Sequence, residues 1–300
     1  MEAFNIIDIE QLTGIKAHTL RIWEQRYNFL TPNRDDTNNR WYTNVDLKMI
    51  LEIALLKDND YRISKIVQYS PVQRAEMAQT IIARFSNVNE MLMGLLLEMA
   101  QGKQEGFEKL LASIILKLGS DEALTDVVYP LLKRTGILWH RPIVTVNQTD
   151  LVRAVVQEHL RYVIRTQQIK MEQPERSYLL YLPEGETEQL AIMFAQFLIQ
   201  QEGNEVHLLS KPQLPEQLKE NVLKYKPDCI MTVMNTFPGS FLTAQAYVDE
   251  LSNTYPNLPI LVTGKQIMGQ GIIEPRNVNI LNKLQDLVDF MADFQLEEIY

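Results

Sequence analysis

Along Ala17–Arg26, His18, Arg21 and Gln25 recur at i, i+3 and i+7, the spacing that brings side chains onto one stripe of an α-helix. Lys16 and Thr19 stand beside them. Together they form a set of hydrogen-bond donors, acceptors and fixed positive charge, suited to meeting base edges and phosphates in a major groove. A second polar stretch, Pro32–Tyr42, carries Arg34 and Arg40 on either side of a polar tip and suits a two-stranded wing along a sugar–phosphate backbone. A third set, Glu184, Glu186 and Glu188, lies in a short loop without metal-spaced histidines and reads as solvated carboxylates rather than a metal site. Bond-breaking chemistry has no comparable support. The sequence offers no Ser/His/Asp set, no His cluster with ligand spacing and no Walker-type glycine loop, so no enzyme is expected. Gly264–Gly271 lacks that spacing and reads as a strand-to-helix connection.

The elements that must hold these residues follow from the apolar pattern. Leu20, Trp23 and Tyr27 form a second stripe on the same helix and face a core, while Thr13-Gly14 separates it from a short helix over Asp8–Leu12. That is a helix-turn-helix followed by a wing, within residues 1–75. Residues 76–172 carry stripes such as Leu92, Leu95, Leu96 and Met99, repeated in Phe107–Leu118, Leu124–Leu132 and Leu151–Ile164, which predicts a four-helix bundle. Residues 173–300 alternate short branched-apolar runs with amphipathic stretches. The runs are 178–182, 206–209, 229–234, 260–263 and 278–281; the helices are expected at 187–202, 215–225, 240–254, 265–270 and 283–295. Strands buried on both faces and alternating with helices predict a doubly wound, Rossmann-like parallel sheet. The fold class is therefore multidomain.

The bulk composition sets limits. Three hundred residues, 46% hydrophobic and 22% charged, suit two or three ordinary domains and exclude wholesale disorder. The net charge of −9 argues superficially against nucleic acid. Its distribution reverses that argument: residues 1–75 hold ten basic and ten acidic side chains, residues 15–42 hold five against three, and the remaining 225 hold 19 against 28. All the excess acid lies away from the expected DNA surface. One cysteine, Cys229 in an apolar run, excludes a disulfide framework and reads as a buried thiol. No signal peptide and no apolar run of membrane-spanning length is found, so a cytoplasmic protein without a membrane partner is expected.

The amino-terminal segment resembles the MerR family of winged-helix transcription regulators. The resemblance rests on Thr13-Gly14-Ile15, on Thr19-Leu20-Arg21-Ile22-Trp23-Glu24-Gln25-Arg26-Tyr27, and on Leu30-Thr31-Pro32, Arg34 and Arg40-Trp41-Tyr42. It implies double-stranded DNA as a partner, with Arg21, Arg26, Arg34, Arg40 and Tyr42 on the backbone and Lys16, His18 and Thr19 facing bases; Tyr27 belongs to the same set. Glu24 is expected to orient Arg21 or Arg26 by an ion pair, and Asp35 and Asp36 to weaken phosphate contact at the wing tip.

The rest of the chain is similar to the cobalamin-binding module of light-sensing, carotenoid-repressor-type MerR regulators and of methionine synthase. In that module an Asp-x-His-x-x-Gly loop follows the first strand, the His serving as an axial cobalt ligand. Here Glu186, Glu188 and Ala191 take the three places. The bundle's Trp is present as Trp139, but Thr149-Asp150 stands where a Glu-His pair follows it; 18 residues instead of nine separate Glu158-His159 from Trp139, and His159 reads as an ordinary helix-surface or interface histidine. A carboxylate is a poor substitute for imidazole on cobalt. The expected function is a sequence-specific DNA-binding regulator, a homodimer or higher homo-oligomer, whose cobalamin-binding-like region has lost the cofactor and mediates oligomerisation or senses another small molecule or protein. The alternative is a protein that binds cobalamin or another small molecule without an axial His.

Overall fold

The computed structural model describes residues 3–34, 38–138, 142–170, 174–236 and 243–296. They form two compact units, Met1–Val156 and Gln157–Tyr300. In the first unit, β1 (Phe4–Asn5) leads into α1 (Ile6–Thr13), whose start is closed by a capping box in which Asn5 accepts from the Asp8 amide and Asp8 from the Asn5 amide. Gly14, at φ 76, ends α1 in the left-handed conformation that a side chain resists, and the chain turns directly into α2 (Ala17–Tyr27). The wing strands β2 (Asn33–Arg34) and β3 (Arg40–Tyr42) pair antiparallel, with Arg34 opposite Arg40. β1 joins the other edge of β3, so the wing is a three-stranded sheet tied to the start of the helix-turn-helix.

Helix α3 (Asn44–Asp58) carries buried residues around most of its circumference, from Leu47 through Ile50–Leu56. It can do so because it is covered twice, by the helix-turn-helix on one side and by α5 (Pro71–Ile82) and α6 (Val88–Gln101) on the other. The short α4 (Ile63–Ile66) connects them. The bundle continues with α7 (Gln104–Leu118), α8 (Ser120–Glu122), a π-helical segment over Ala123–Val128, α9 (Tyr129–Thr135) and the start of α10 (Val146–Lys170). Pro130 cannot donate to the helical ladder, and the turn before it widens so that the Tyr129 amide bonds to Leu124. A polar relay crosses the unit: Gln148 donates to Asn44, and Asn44 to the carbonyl of Ala100.

Head and bundle share α3 as a common core helix, and the two compact units divide inside α10.

The second unit contains a five-stranded parallel sheet in the order β5-β4-β6-β7-β8, built from β4 (Ser177–Tyr181), β5 (Glu205–Leu208), β6 (Cys229–Val233), β7 (Ile260–Thr263) and β8 (Val278–Ile280). Each matches an expected apolar run within a residue or so. Leu179, Tyr181, Ile230, Ile260 and Val262 face α12 (Pro215–Tyr225) and α13 (Ala244–Thr254) in one buried layer. On the opposite face α11 (Leu190–Gln201) packs with α14 (Leu284–Leu296), and Tyr178 meets Phe294 edge-on at 6.4 Å. Cys229 is wholly buried, and that burial pushes its thiol pKa far up. The helix expected at 265–270 does not form. Gly264, Gly269 and Gly271 all have positive φ, and only a succession of turns closes between them.

Among the described residues no helix is long and apolar enough to cross a membrane.

Candidate nucleic-acid interface and the sheet-edge loops

Helix α2 divides by face as its spacing requires. Leu20 and Trp23 are buried, Tyr27 is half-buried, and His18, Arg21 and Gln25 stand exposed on one stripe. Ile22, 54% exposed, lies four residues from both His18 and Arg26 and adds an apolar contact of the kind that meets a thymine methyl. Arg26 is exposed and its guanidinium lies 5.4 Å from the Tyr27 ring centroid. Lys16 and Thr19 occupy a different flank. With Trp23 they line a cavity of about 280 Å³, and the Thr19 hydroxyl lies 3.3 Å from His18 Nε2. Lys16 also pairs with Glu10 at 3.0 Å, and the other oxygen of Glu10 accepts from the Ala17 amide at 2.9 Å. Glu10 thus caps α2 from the preceding helix, and that amide bond above all lowers its carboxyl pKa.

The wing is held by a buried carboxylate. Glu24, 7% exposed, accepts from the Tyr42 hydroxyl at 2.7 Å and from Arg40 Nε at 3.2 Å. This corrects two expectations. Glu24 does not serve Arg21 or Arg26; its place on the inner face of α2 turns it toward the wing. Tyr42 does not reach the DNA backbone; it is completely buried, and burial together with the neighbouring Glu24 keeps its phenol protonated far above its usual range. Arg34 remains exposed and is steadied by Asn38, which accepts from its Nη1 through both the backbone carbonyl and the side-chain oxygen. Asp35 and Asp36 lie outside the described residues.

In the second unit, Glu186 is 2% exposed. One carboxylate oxygen accepts from the amides of Thr187 and Glu188, both at 2.9 Å, and the other from Asn235 at 2.7 Å and Thr236 at 2.8 Å. It fastens the loop after β4 to the loop after β6 at the carboxyl edge of the sheet, where the strand order reverses and doubly wound folds bind their ligands. Glu188 is buried too, and accepts from the Leu190 amide at the start of α11. The acidic loop residues Glu186 and Glu188 are thus structural and buried, not solvated as the sequence suggested. Ala191 is buried in the first turn of α11.

These residues do not fit an imidazole-ligated cobalamin. No histidine stands in the loop, one oxygen of Glu188 caps a helix, and all of Glu186's acceptor capacity goes to main-chain amides. His207 lies on β5, stacked on Tyr225 with ring centroids 4.4 Å apart. Of the bundle positions, Thr149 is buried and Asp150 is exposed and pairs with Arg153 at 3.4 Å. Trp139 lies outside the described residues. Among the described residues no group of three His, Cys, Asp or Glu is placed to hold a metal ion.

The family profile described as "MerR HTH family regulatory protein" matches residues 4–71, which span β1 to the start of α5. The amino-terminal segment is a MerR-type helix-turn-helix domain. The MerR-type head is 35% identical over 66 residues to the HTH-type transcriptional regulator MlrA of Escherichia coli strain K12, a match covering 22% of this chain and 27% of that protein. A longer match joins the chain to the HTH-type transcriptional repressor CarH of Myxococcus xanthus: 25% identity over 226 residues, 73% of this chain and 75% of that protein. The fold is similar to that of the monomethylamine corrinoid protein of Methanosarcina barkeri, with a TM-score of 0.53 at 12% identity over 69% of this chain and 100% of that one. The carboxy-terminal half is accordingly a cobalamin-binding-like, Rossmann-like domain in fold.

The structure brings Arg40, Tyr42 and Glu24 of the MerR-type head together and leaves His18, Arg21, Gln25 and Arg34 free to face outward. Sequence reasoning missed Glu10 and Ile22. Ile22 was legible from the helical wheel, whereas Glu10 needed the angle between α1 and α2.

Proposed function

We propose that the protein is a sequence-specific DNA-binding transcription regulator without enzymatic activity. Its MerR-type head reads double-stranded DNA through His18, Arg21, Ile22 and Gln25, with Arg26, Arg34 and Arg40 on the phosphates. The observation that carries this is the anchoring of the wing to the inner face of α2 by Glu24, which sets the reading helix and the wing arginines as one body. Domain roles follow the sequence division, with 1–75 reading DNA, 76–172 forming the bundle and 173–300 the cobalamin-binding-like domain. One head with a local charge of +2 over residues 15–42 binds weakly, so the working species is a homodimer or higher homo-oligomer on a two-fold-related site. Selection of bound duplexes from a random library tests this, and a single symmetric consensus is the expected result. Arg21→Ala should abolish capture of that consensus, and unchanged capture would refute the assignment.

The carboxy-terminal half, on this reading, oligomerises or senses an effector other than cobalamin, because Glu188 stands at the axial-ligand position and is committed to capping α11. Absorption spectra of the protein incubated with adenosyl- and methylcobalamin provide the check. A protein-bound corrin spectrum surviving gel filtration would overturn this half of the proposal.

A further inference from the structure

The cavity beside α2 has a wall from the bundle as well as from the head. Lys16 and Thr19 contribute from α2 and its cap, Lys57 from the last turn of α3, and Arg134 from the last turn of α9. At about 280 Å³ it far exceeds the roughly 10–15 Å³ that a single water requires. Arg134 is half-buried, and among the described residues its one side-chain bond runs from Nη1 to the Met93 sulfur at 3.8 Å, a weak acceptor. Among the described residues no carboxylate lies within ion-pair distance of it. Burial lowers its pKa, and the nearby Asp58 charge opposes that only in part. Its backbone is tied to α1, because its own carbonyl accepts from Gln11 at 2.8 Å. A guanidinium desolvated without an anion is costly unless an anion arrives.

The other walls agree. Lys57 is exposed and has no ion-pair partner among the described residues. The one acid on the wall, Asp58, accepts from Asn89. Lys16 is already matched by Glu10, so Lys57 and Arg134 face the single carboxylate of Asp58, and the planar fork of Arg134 suits a tetrahedral oxyanion.

We propose that this cavity is an oxyanion site that takes a phosphate group, through which bundle residue Arg134 takes part in what the head binds. The phosphate is supplied by the DNA backbone or by a free phosphate-bearing ion; the first source rests on the DNA-reading function, the second does not.

The test uses the full chain and the variants Arg134→Gln, Lys57→Gln and Asp58→Asn, each checked by thermal unfolding. Titration with inorganic phosphate and pyrophosphate reads the free ion. The salt dependence of binding to the selected duplex reads the backbone, each phosphate contact contributing about 0.9 to the slope. Free-ion occupancy predicts a loss of about tenfold or more in pyrophosphate affinity for Arg134→Gln and Lys57→Gln, and tightening for Asp58→Asn. Backbone occupancy predicts a slope shallower by about 0.9 for Arg134→Gln, with stronger duplex binding for Asp58→Asn. Should Arg134→Gln fail to fold, Lys57→Gln and Asp58→Asn must still move affinity in opposite directions. Unchanged slope and unchanged anion affinity in well-folded variants would overturn the proposal, as would weakening by Asp58→Asn. If no duplex is ever recovered, the DNA-reading function fails while the pyrophosphate titration still decides the cavity.

Discussion

Replacing Tyr42 by Phe separates a phenol that props up the wing from one that touches DNA. The ring is completely buried and its hydroxyl donates to the equally withdrawn Glu24 at 2.7 Å. The variant keeps the shape and removes one hydrogen bond to a charged acceptor, worth about 1.5–3 kcal/mol. Glu24 retains Arg40, so the carboxylate is not wholly orphaned and a loss near 2 kcal/mol is expected. For a unit of this size that corresponds to a midpoint lower by about 4–8 °C. Thermal unfolding gives the stability, and the salt dependence of duplex binding gives the phosphate count. Stability should fall while the salt slope stays at its wild-type value, because a buried phenol releases no counterion from DNA. A cycle with Glu24→Gln should show the two substitutions to be non-additive. An unchanged midpoint together with a slope reduced by nearly a full contact would mean that Tyr42 faces the duplex and that Glu24 does not anchor the wing.

Three further outcomes follow from other sites. Gly264→Ala should destabilise the second unit by about 2–5 kcal/mol in denaturant, since φ is +114 and an added Cβ would stand 2.5 Å from the Met234 carbonyl oxygen. Glu186→Gln should leave two amides without an acceptor, one of them of a buried residue at about 1–3 kcal/mol, and hydrogen exchange should quicken at Asn235 and Thr236 or at Thr187 and Glu188. Glu52 has its carboxyl pKa raised by burial, with Lys48 and Arg74 opposing the shift. The folded state therefore holds its proton longer, and stability falls as pH rises from the ordinary carboxyl range through the raised value. Glu52→Gln should flatten that part of the stability–pH profile, and an unaltered profile would count against the burial.

Much of the fold was legible in the residues because it depends on local periodicity. The five strands of the second unit are short apolar runs buried on both faces, and such runs announce themselves without a partner. The helix-turn-helix was legible for a similar reason, with Gly14 marking the turn and the Leu20–Trp23 stripe marking the inner face. The segment at 265–270 misled because its apolar and polar residues alternate suitably for a helix, while three glycines at positive φ decide against one.

The sequence by itself determined which faces of α2 are apolar and polar, and which residues are available to meet a phosphate. It also determined that no imidazole stands in the loop after β4. Only the tertiary structure decided how those residues are used. Glu24, Arg40 and Tyr42 are separated by up to 18 residues, and their union depends on the wing folding back onto α2. Glu186 reaches amides about 50 residues away because two strands that are not neighbours in the chain lie side by side in the sheet. Arg134 stands near Thr19 because α3 is shared between head and bundle. Spacing along a chain fixes direction within one element, whereas the meeting of distant elements depends on which buried faces match, and that is a property of the packed whole.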